Sequence, residues 1–104
     1  MTPSQALPAV VDRPNESRFV AEFDGLEAEL TYVRDGERFT LVHTGTPVPL
    51  RGRGIGTALV CAAIDRAIAE HLTVVPKCPF AHAWWLAHPD VASRLTIDWD
   101  ATQA

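Results

Sequence analysis

Leu50-Arg-Gly-Arg-Gly-Ile-Gly-Thr-Ala-Leu-Val60 decides how this chain is read. Its first half places glycines at 52, 54 and 56. Its second half opens a stripe in which Val60, Ala63, Ile64, Ala67 and Ile68 recur at helical spacing, with Thr57, Asp65, Arg66 and Glu70 mostly away from it. The spacing predicts a helix over about Gly54 to Glu70, entered from a glycine-rich loop. Glycine has no Cβ, so a ligand can approach such a loop closely and several N–H groups can point at one anion. The helix brings its own free N–H groups and its positive dipole end to the same point. Arg51 and Arg53 add fixed cations suited to phosphate oxygens, and a pyrophosphate is the natural partner. The same composition also fits a loop whose glycines merely turn the chain beside solvated arginines. The Gly-Lys-Ser/Thr ending of a P-loop is missing. Alternate glycines with no acidic residue closing a suitable strand downstream do not make a dinucleotide fingerprint.

Upstream, three alternating runs read as strands: Arg18–Phe23, Leu26–Arg34 and Glu37–Thr44. Asp24-Gly25 and Asp35-Gly36 separate them, the pairing that type I′ hairpin turns favour. Alternation puts Phe19, Ala21 and Phe23 on one face of the first, Leu26, Ala28, Leu30 and Tyr32 on one face of the second, and Phe39, Leu41 and His43 on one face of the third. Residues 1–14 hold three prolines among small or polar residues and read as a loose leader, leaving 15–104 as one compact domain. Downstream, Leu72–Val75 reads as a short buried strand stopped by Pro76. Pro79 then suits the first turn of a second helix with Phe80, Ala83, Trp84 and Ala87 on its apolar side, and Trp85 pointing elsewhere. The tail after Val91 has room for one more turn or edge strand. Two strands joined through a helix run parallel, so Thr44–Pro49 and Val75–Cys78 come to one edge of the sheet, where α/β folds bind ligands. The fold class is therefore α/β (α+β): a mixed sheet with an antiparallel N-terminal meander, a β-α-β unit and a second helix.

These residues resemble the GCN5-related N-acetyltransferases. Arg51-Gly-Arg-Gly-Ile-Gly56 matches the Q/R-x-x-G-x-G/A signature of that family. With His43-Thr44, Leu50–Val60, Val74-Val-Pro-Lys-Cys-Pro-Phe80 and His88-Pro89 the chain looks like its small, minimal subfamily over about residues 18–90. The resemblance implies acetyl-CoA between two splayed parallel strands. Its pyrophosphate would lie on Arg51, Gly52, Arg53, Gly54, Ile55, Gly56 and Thr57, and its pantetheine arm beside Thr46–Val48 and Thr73–Val75. It implies acetyl transfer to an amine, with a non-catalytic acyl-CoA-binding module as the alternative. Two features depart from the pattern. Asp24-Gly25 joins the first strands directly where larger members carry helices, and Gly45 stands where the small subfamily has Glu.

Cys78 follows Lys77 and precedes Pro79, so it falls at the N-cap of the second helix. That position favours thiolate and a role as acetyl acceptor or proton relay; a small buried cysteine that only packs is the plainer reading. His43 reads either as a base at the ligand edge or as a hydrogen-bonded sheet histidine. Cys61 reads as core. His82 and His88 lack metal-ligand spacing, and no metal is expected. The chain of 104 residues carries nine Lys/Arg against thirteen Asp/Glu, a net charge of −4, without the basic surplus of a general nucleic-acid binder. No apolar run approaches a membrane span and no secretion signal is visible, so the expectation is a cytoplasmic protein with reduced thiols, a monomer or weak homodimer.

Overall fold

The computed structural model describes residues 9–23 and 25–99. Six strands form one sheet in sequence order: β1 (Val10–Arg13), β2 (Arg18–Phe23), β3 (Leu26–Asp35), β4 (Arg38–Gly45), β5 (Thr73–Pro76) and β6 (Thr96–Ile97). The first four pair antiparallel; β4 with β5 and β5 with β6 pair parallel. Helix α1 (Ile55–Glu70) makes the crossover from β4 to β5, and α2 (Pro79–Ala87) and the single-turn α3 (Pro89–Ala92) connect β5 to β6.

Periodicity explains most of this. Ala28, Leu30 and Tyr32 of β3 and Phe39 and Leu41 of β4 are buried on one sheet face, packed with Leu59, Val60, Ala63, Ile64 and Ala67 of α1. Each leucine, isoleucine, valine or phenylalanine removed from water in this way contributes about 1.5–3 kcal/mol. Ile68 is exposed because it has rotated off the stripe. Phe23 also emerges at the end of β2 rather than joining Phe19 and Ala21 inside.

The hairpin between β3 and β4 differs from expectation by one residue. Asp35 pairs with Arg38, so Gly36 and Glu37 are the central residues. Gly36 has φ +60° and Glu37 does not have a positive φ, which excludes type I′ and matches the type II′ pattern. In the β2–β3 hairpin Gly25 has φ +78°, while Asp24 lies outside the described residues.

The leader is corrected in its second half. Residues 1–8 lie outside the described residues, but Val10–Arg13 is the edge strand β1, paired with β2. A half-buried polar knot holds it. Tyr32 Oη donates to Asp12 Oδ1 at 2.6 Å, and Arg66 Nη1 donates to Asp12 Oδ2 at 2.9 Å and to Tyr32 Oη at 2.8 Å. The Arg66 guanidinium lies 5.1 Å above the Tyr32 ring and 5.2 Å above Phe39. Pairing of this kind is set by partners 20 and 54 residues apart in sequence, which local composition does not reveal.

Burial, and then the bond to Asp12, push the Tyr32 hydroxyl above its ordinary pKa of 10.0. The folded state therefore keeps a proton that the unfolded chain releases above that pH, and stability falls as pH rises beyond about 10. Tyr32→Phe is expected to cost about 1–2 kcal/mol at neutral pH. It should also flatten the decline above pH 10, both read from urea midpoints at a series of pH values.

Candidate functional site

The site begins where β4 and β5 part. Their ladder runs from the Arg38–Thr73 pair to the Leu41–Pro76 pair, and the Cys78 amide closes it by donating to the Leu41 carbonyl at 2.8 Å. At the same level β4 carries an irregularity. Thr31 faces His43 while Tyr32 faces Leu41, so Val42 is an extra residue. A bulge of this kind bends a strand and re-aims its side chains. Thr44, opposite Leu30, now takes the core face, and His43 turns outward opposite Thr31. This corrects the expectation that His43 shares a face with Phe39 and Leu41.

Beyond the fork lies a cleft of about 440 Å³ whose walls include Thr44, Thr46, Leu50, Arg51, Gly54 and Gly56. A 3-10 turn over Val48–Leu50, with Leu50 buried as its anchor, leads into the loop. Gly52 (φ +80°) and Gly54 (φ +77°, the N-cap of α1) hold left-handed conformations that side chains with a Cβ adopt only at a cost of about 1–2 kcal/mol. The first bond of α1 runs from the Ala58 amide to the Gly54 carbonyl. Among the described residues no carbonyl or side chain accepts from the amides of residues 52–57. Five of these six residues, Gly52, Gly54, Ile55, Gly56 and Thr57, line one cleft at a helix N-terminus, a geometry for an anion.

The two arginines are placed differently. Arg51 lines the cleft with Nε donating to the Thr46 carbonyl at 3.1 Å. Arg53 stacks over the Phe23 ring at 5.0 Å, at the loop's outer side. Both are exposed, so they raise the local positive potential, and Arg53 needs a side-chain swing to touch a ligand in the cleft. Val48 is exposed and outside the cleft lining, and Thr73–Val75 are held within the ladder.

Helix α2 closes one end. Cys78 is its N-cap and Pro79 its first residue. Its sheet-facing residues are Cys78, Ala81 and Trp85, spaced three and four apart, whereas Phe80 is exposed and Trp84 half-buried. The expected tryptophan roles are therefore reversed, because Phe80 and Trp84 form a second stripe that meets the start of α1. Trp84 Nε1 donates to Thr57 Oγ1 at 3.3 Å, and the Phe80 ring lies where a Cβ on Gly56 would be, at 2.7 Å. Gly56 thus serves helix-to-helix contact as well as the open cradle.

A second cavity of about 400 Å³ adjoins the cleft. Glu27 and Glu29 of β3, His43 and Gly45 of β4, and Thr44, Thr46 and Arg51 lie on its walls, the last three shared with the cleft. Because residue 45 has no side chain, the His43 ring rests against it: Nε2 is 3.3 Å and the Glu29 Cγ 3.8 Å from the place of a Cβ there. Glu29 pairs with Arg18 at 2.9 Å. Cys78 is 1% exposed and lines neither cavity; its sulfur lies 2.9 Å from Thr44 Oγ1. Cys61 is half-buried in α1, its thiol pushed up by burial and then by Asp65. No group of three or more metal-ligating side chains gathers among the described residues, and no described helix is long and apolar enough to cross a membrane.

The fork brings together Arg51, Gly52, Gly54, Ile55, Gly56 and Thr57, as the sequence reading expects, and sets His43 on the neighbouring cavity. That reading gives no role to the Thr44 side chain, to Glu29 at the second cavity or to the Phe80–Gly56 contact. The bulge that aims Thr44 falls where the apolar pair Leu41-Val42 interrupts the alternation of Phe39–Thr44, the one sequence signal that could have found it.

Against known proteins, a family model described as GCN5-related N-acetyl-transferase matches residues 18–95. The NMR solution structure of a GCN5-like protein from Staphylococcus aureus superposes with a TM-score of 0.67 at 24% identity, covering 86% of this chain and 87% of that one, a likeness of fold.

Gly56→Ala should force the Phe80 ring aside and lower the thermal midpoint, whereas Phe80→Ala in the same chain leaves room for the methyl group. The double variant is expected to lose less stability than the two single losses added, by about 0.5–1 kcal/mol in a double-mutant cycle.

Proposed function

Because the chain belongs to the GCN5-related N-acetyltransferase family, we propose that its cleft takes acetyl-CoA and that the chain moves the acetyl group to an amine acceptor. The observation that carries this is the row of amides over residues 52–57 without acceptors among the described residues, five of them on residues that line a 440 Å³ cleft at the start of a 16-residue helix. A diphosphate fits that donor set. Gly52 and Gly54 leave the backbone bare, and the helix end favours negative charge by about 0.3–1 kcal/mol per charge. Arg51 and Arg53 are cations suited to its oxygens. Thr46 and Ile55 would flank the chain of the ligand, and the pantetheine arm would follow the end of β4 toward Thr44.

When bound, acetyl-CoA supplies an acyl group already activated as a thioester. The protein then has to position an amine against it and remove the ammonium proton, and positioning alone is worth several kcal/mol. The second cavity is the place for the acceptor, since it shares Thr44, Thr46 and Arg51 with the cleft. His43, exposed on that side, is the group to take the proton. Cys78 completes the set at the junction, behind the Thr44 hydroxyl.

Titration calorimetry with acetyl-CoA, followed by a thiol-release assay over polyamines, peptides and small amines, tests the reading. Saturable binding and release of coenzyme A with at least one amine are expected. Arg51→Glu should weaken acetyl-CoA binding at least tenfold, about 1.4 kcal/mol, with the circular dichroism spectrum unchanged. Binding without thiol release from any amine would leave a carrier rather than an enzyme, and absence of binding would remove the reading altogether.

A further inference from the structure

We infer that Thr44 is a catalytic residue of the transfer, donating a hydrogen bond to the sulfur that the acetyl group leaves, and that Cys78 acts through it as a positioning residue. This rests on the cleft being the acetyl-CoA site. Thr44 is on the wall of both cavities, at their junction, whereas Cys78 is on the wall of neither and is 1% exposed. The two side chains share a hydrogen bond of 2.9 Å, and neither has another side-chain partner among the described residues. If the thiol donates to Thr44 Oγ1, the hydroxyl proton is left pointing away from Cys78, toward the junction. The Cys78 backbone cannot shift to reach the cleft itself, since its amide is held by Leu41 and its carbonyl accepts from the His82 amide at 2.9 Å. Thr44 owes its place to the extra residue at Val42, which turns it onto this face.

The chemistry balances without a proton leaving Thr44. The amine nitrogen bonds to the carbonyl carbon, the carbon–sulfur bond breaks and its electron pair goes to sulfur. The surplus proton of the amine passes to His43 or water. Thr44 keeps its proton and offers it to the sulfur as negative charge grows there, where a preorganised donor is worth most.

A donor aimed at that sulfur also stabilises a bound thiolate, which gives a readout apart from turnover. The experiment compares the affinity of coenzyme A with that of acetyl-CoA by calorimetry between pH 6.5 and 9.5, a range chosen to span an ordinary thiol pKa of about 8.5. Acetyl-CoA has no free thiol. The ratio therefore removes what acts equally on both compounds, and comparison with Thr44→Val removes the influence on the thiolate of the other groups around the junction: Glu27 and Glu29 on β3, His43 on β4, Arg51 in the loop and Cys78 at the N-cap of α2. In wild type the ratio should rise several-fold with pH as the thiol ionises. It should stay flat in Thr44→Val, return in Thr44→Ser and be weakened in Cys78→Ala. With an accepted amine, kcat should fall on the order of tenfold to a hundredfold in Thr44→Val. The same pH response in wild type and Thr44→Val overturns the inference, as does an acetyl adduct on Cys78 with full activity in Thr44→Val. If both compounds bind and only the pH response is missing, Thr44 alone is at fault. If neither binds, the cleft reading falls and this inference falls with it.

Discussion

The hydrogen bond from the Cys78 amide to the Leu41 carbonyl is the last rung between two strands that must then separate. The cleft proposed to take acetyl-CoA stands beyond that rung. On one side β5 turns at once into α2, because Pro76 and Pro79 remove ladder donors and Pro79 is preset for a helix. On the other, β4 runs on beside β3 alone with the extra residue Val42 bending it. A parallel sheet exposes backbone at a fork of this kind, and the fold fills it from below with the start of α1. The cleft is therefore a consequence of where pairing stops.

The second constraint is how the two helices meet. The N-terminal turn of α1 has to remain bare toward the cleft and also carry α2. Gly56 allows both, since the Phe80 ring lies where a Cβ would be and Trp84 binds Thr57 one residue later. Further along the turn the loop is held by Arg51 on the Thr46 carbonyl and by Arg53 on Phe23. These are solvent-exposed contacts of the kind worth little in stability, so the arginines are held loosely enough to move toward a ligand. The rigid part of the cradle is backbone and the adaptable part is side chain.

Much of this was legible before any coordinates. Two proline or glycine interruptions and a change of period from two to about 3.6 marked the β-α-β unit, and alternate glycines before a helix marked the loop proposed to hold an anion. Family membership over residues 18–95 agrees with the reading of family and fold. What could not be read depends on long-range geometry. The bulge at Val42 reverses His43 and Thr44, and its trace in the sequence is only the adjacent apolar pair Leu41-Val42, which fits an exposed valine on an unbroken strand equally well. Residues 10–13 look like leader until Tyr32 and Arg66 bind Asp12 from other elements. Trp84 and Trp85 exchange roles because α2 packs against two surfaces at once, and a single apolar stripe cannot describe a helix in a corner.

The account stands on the amides of residues 52–57 receiving a diphosphate. The most direct measurement is a nuclear magnetic resonance titration of the nitrogen-15-labelled chain with coenzyme A, with pantetheine as the control lacking a diphosphate. The account requires the amide signals of Gly52 through Thr57 to move together and saturate with coenzyme A, and to stay in place with pantetheine. Equal responses to both compounds, or movement confined to other parts of the chain, would contradict it.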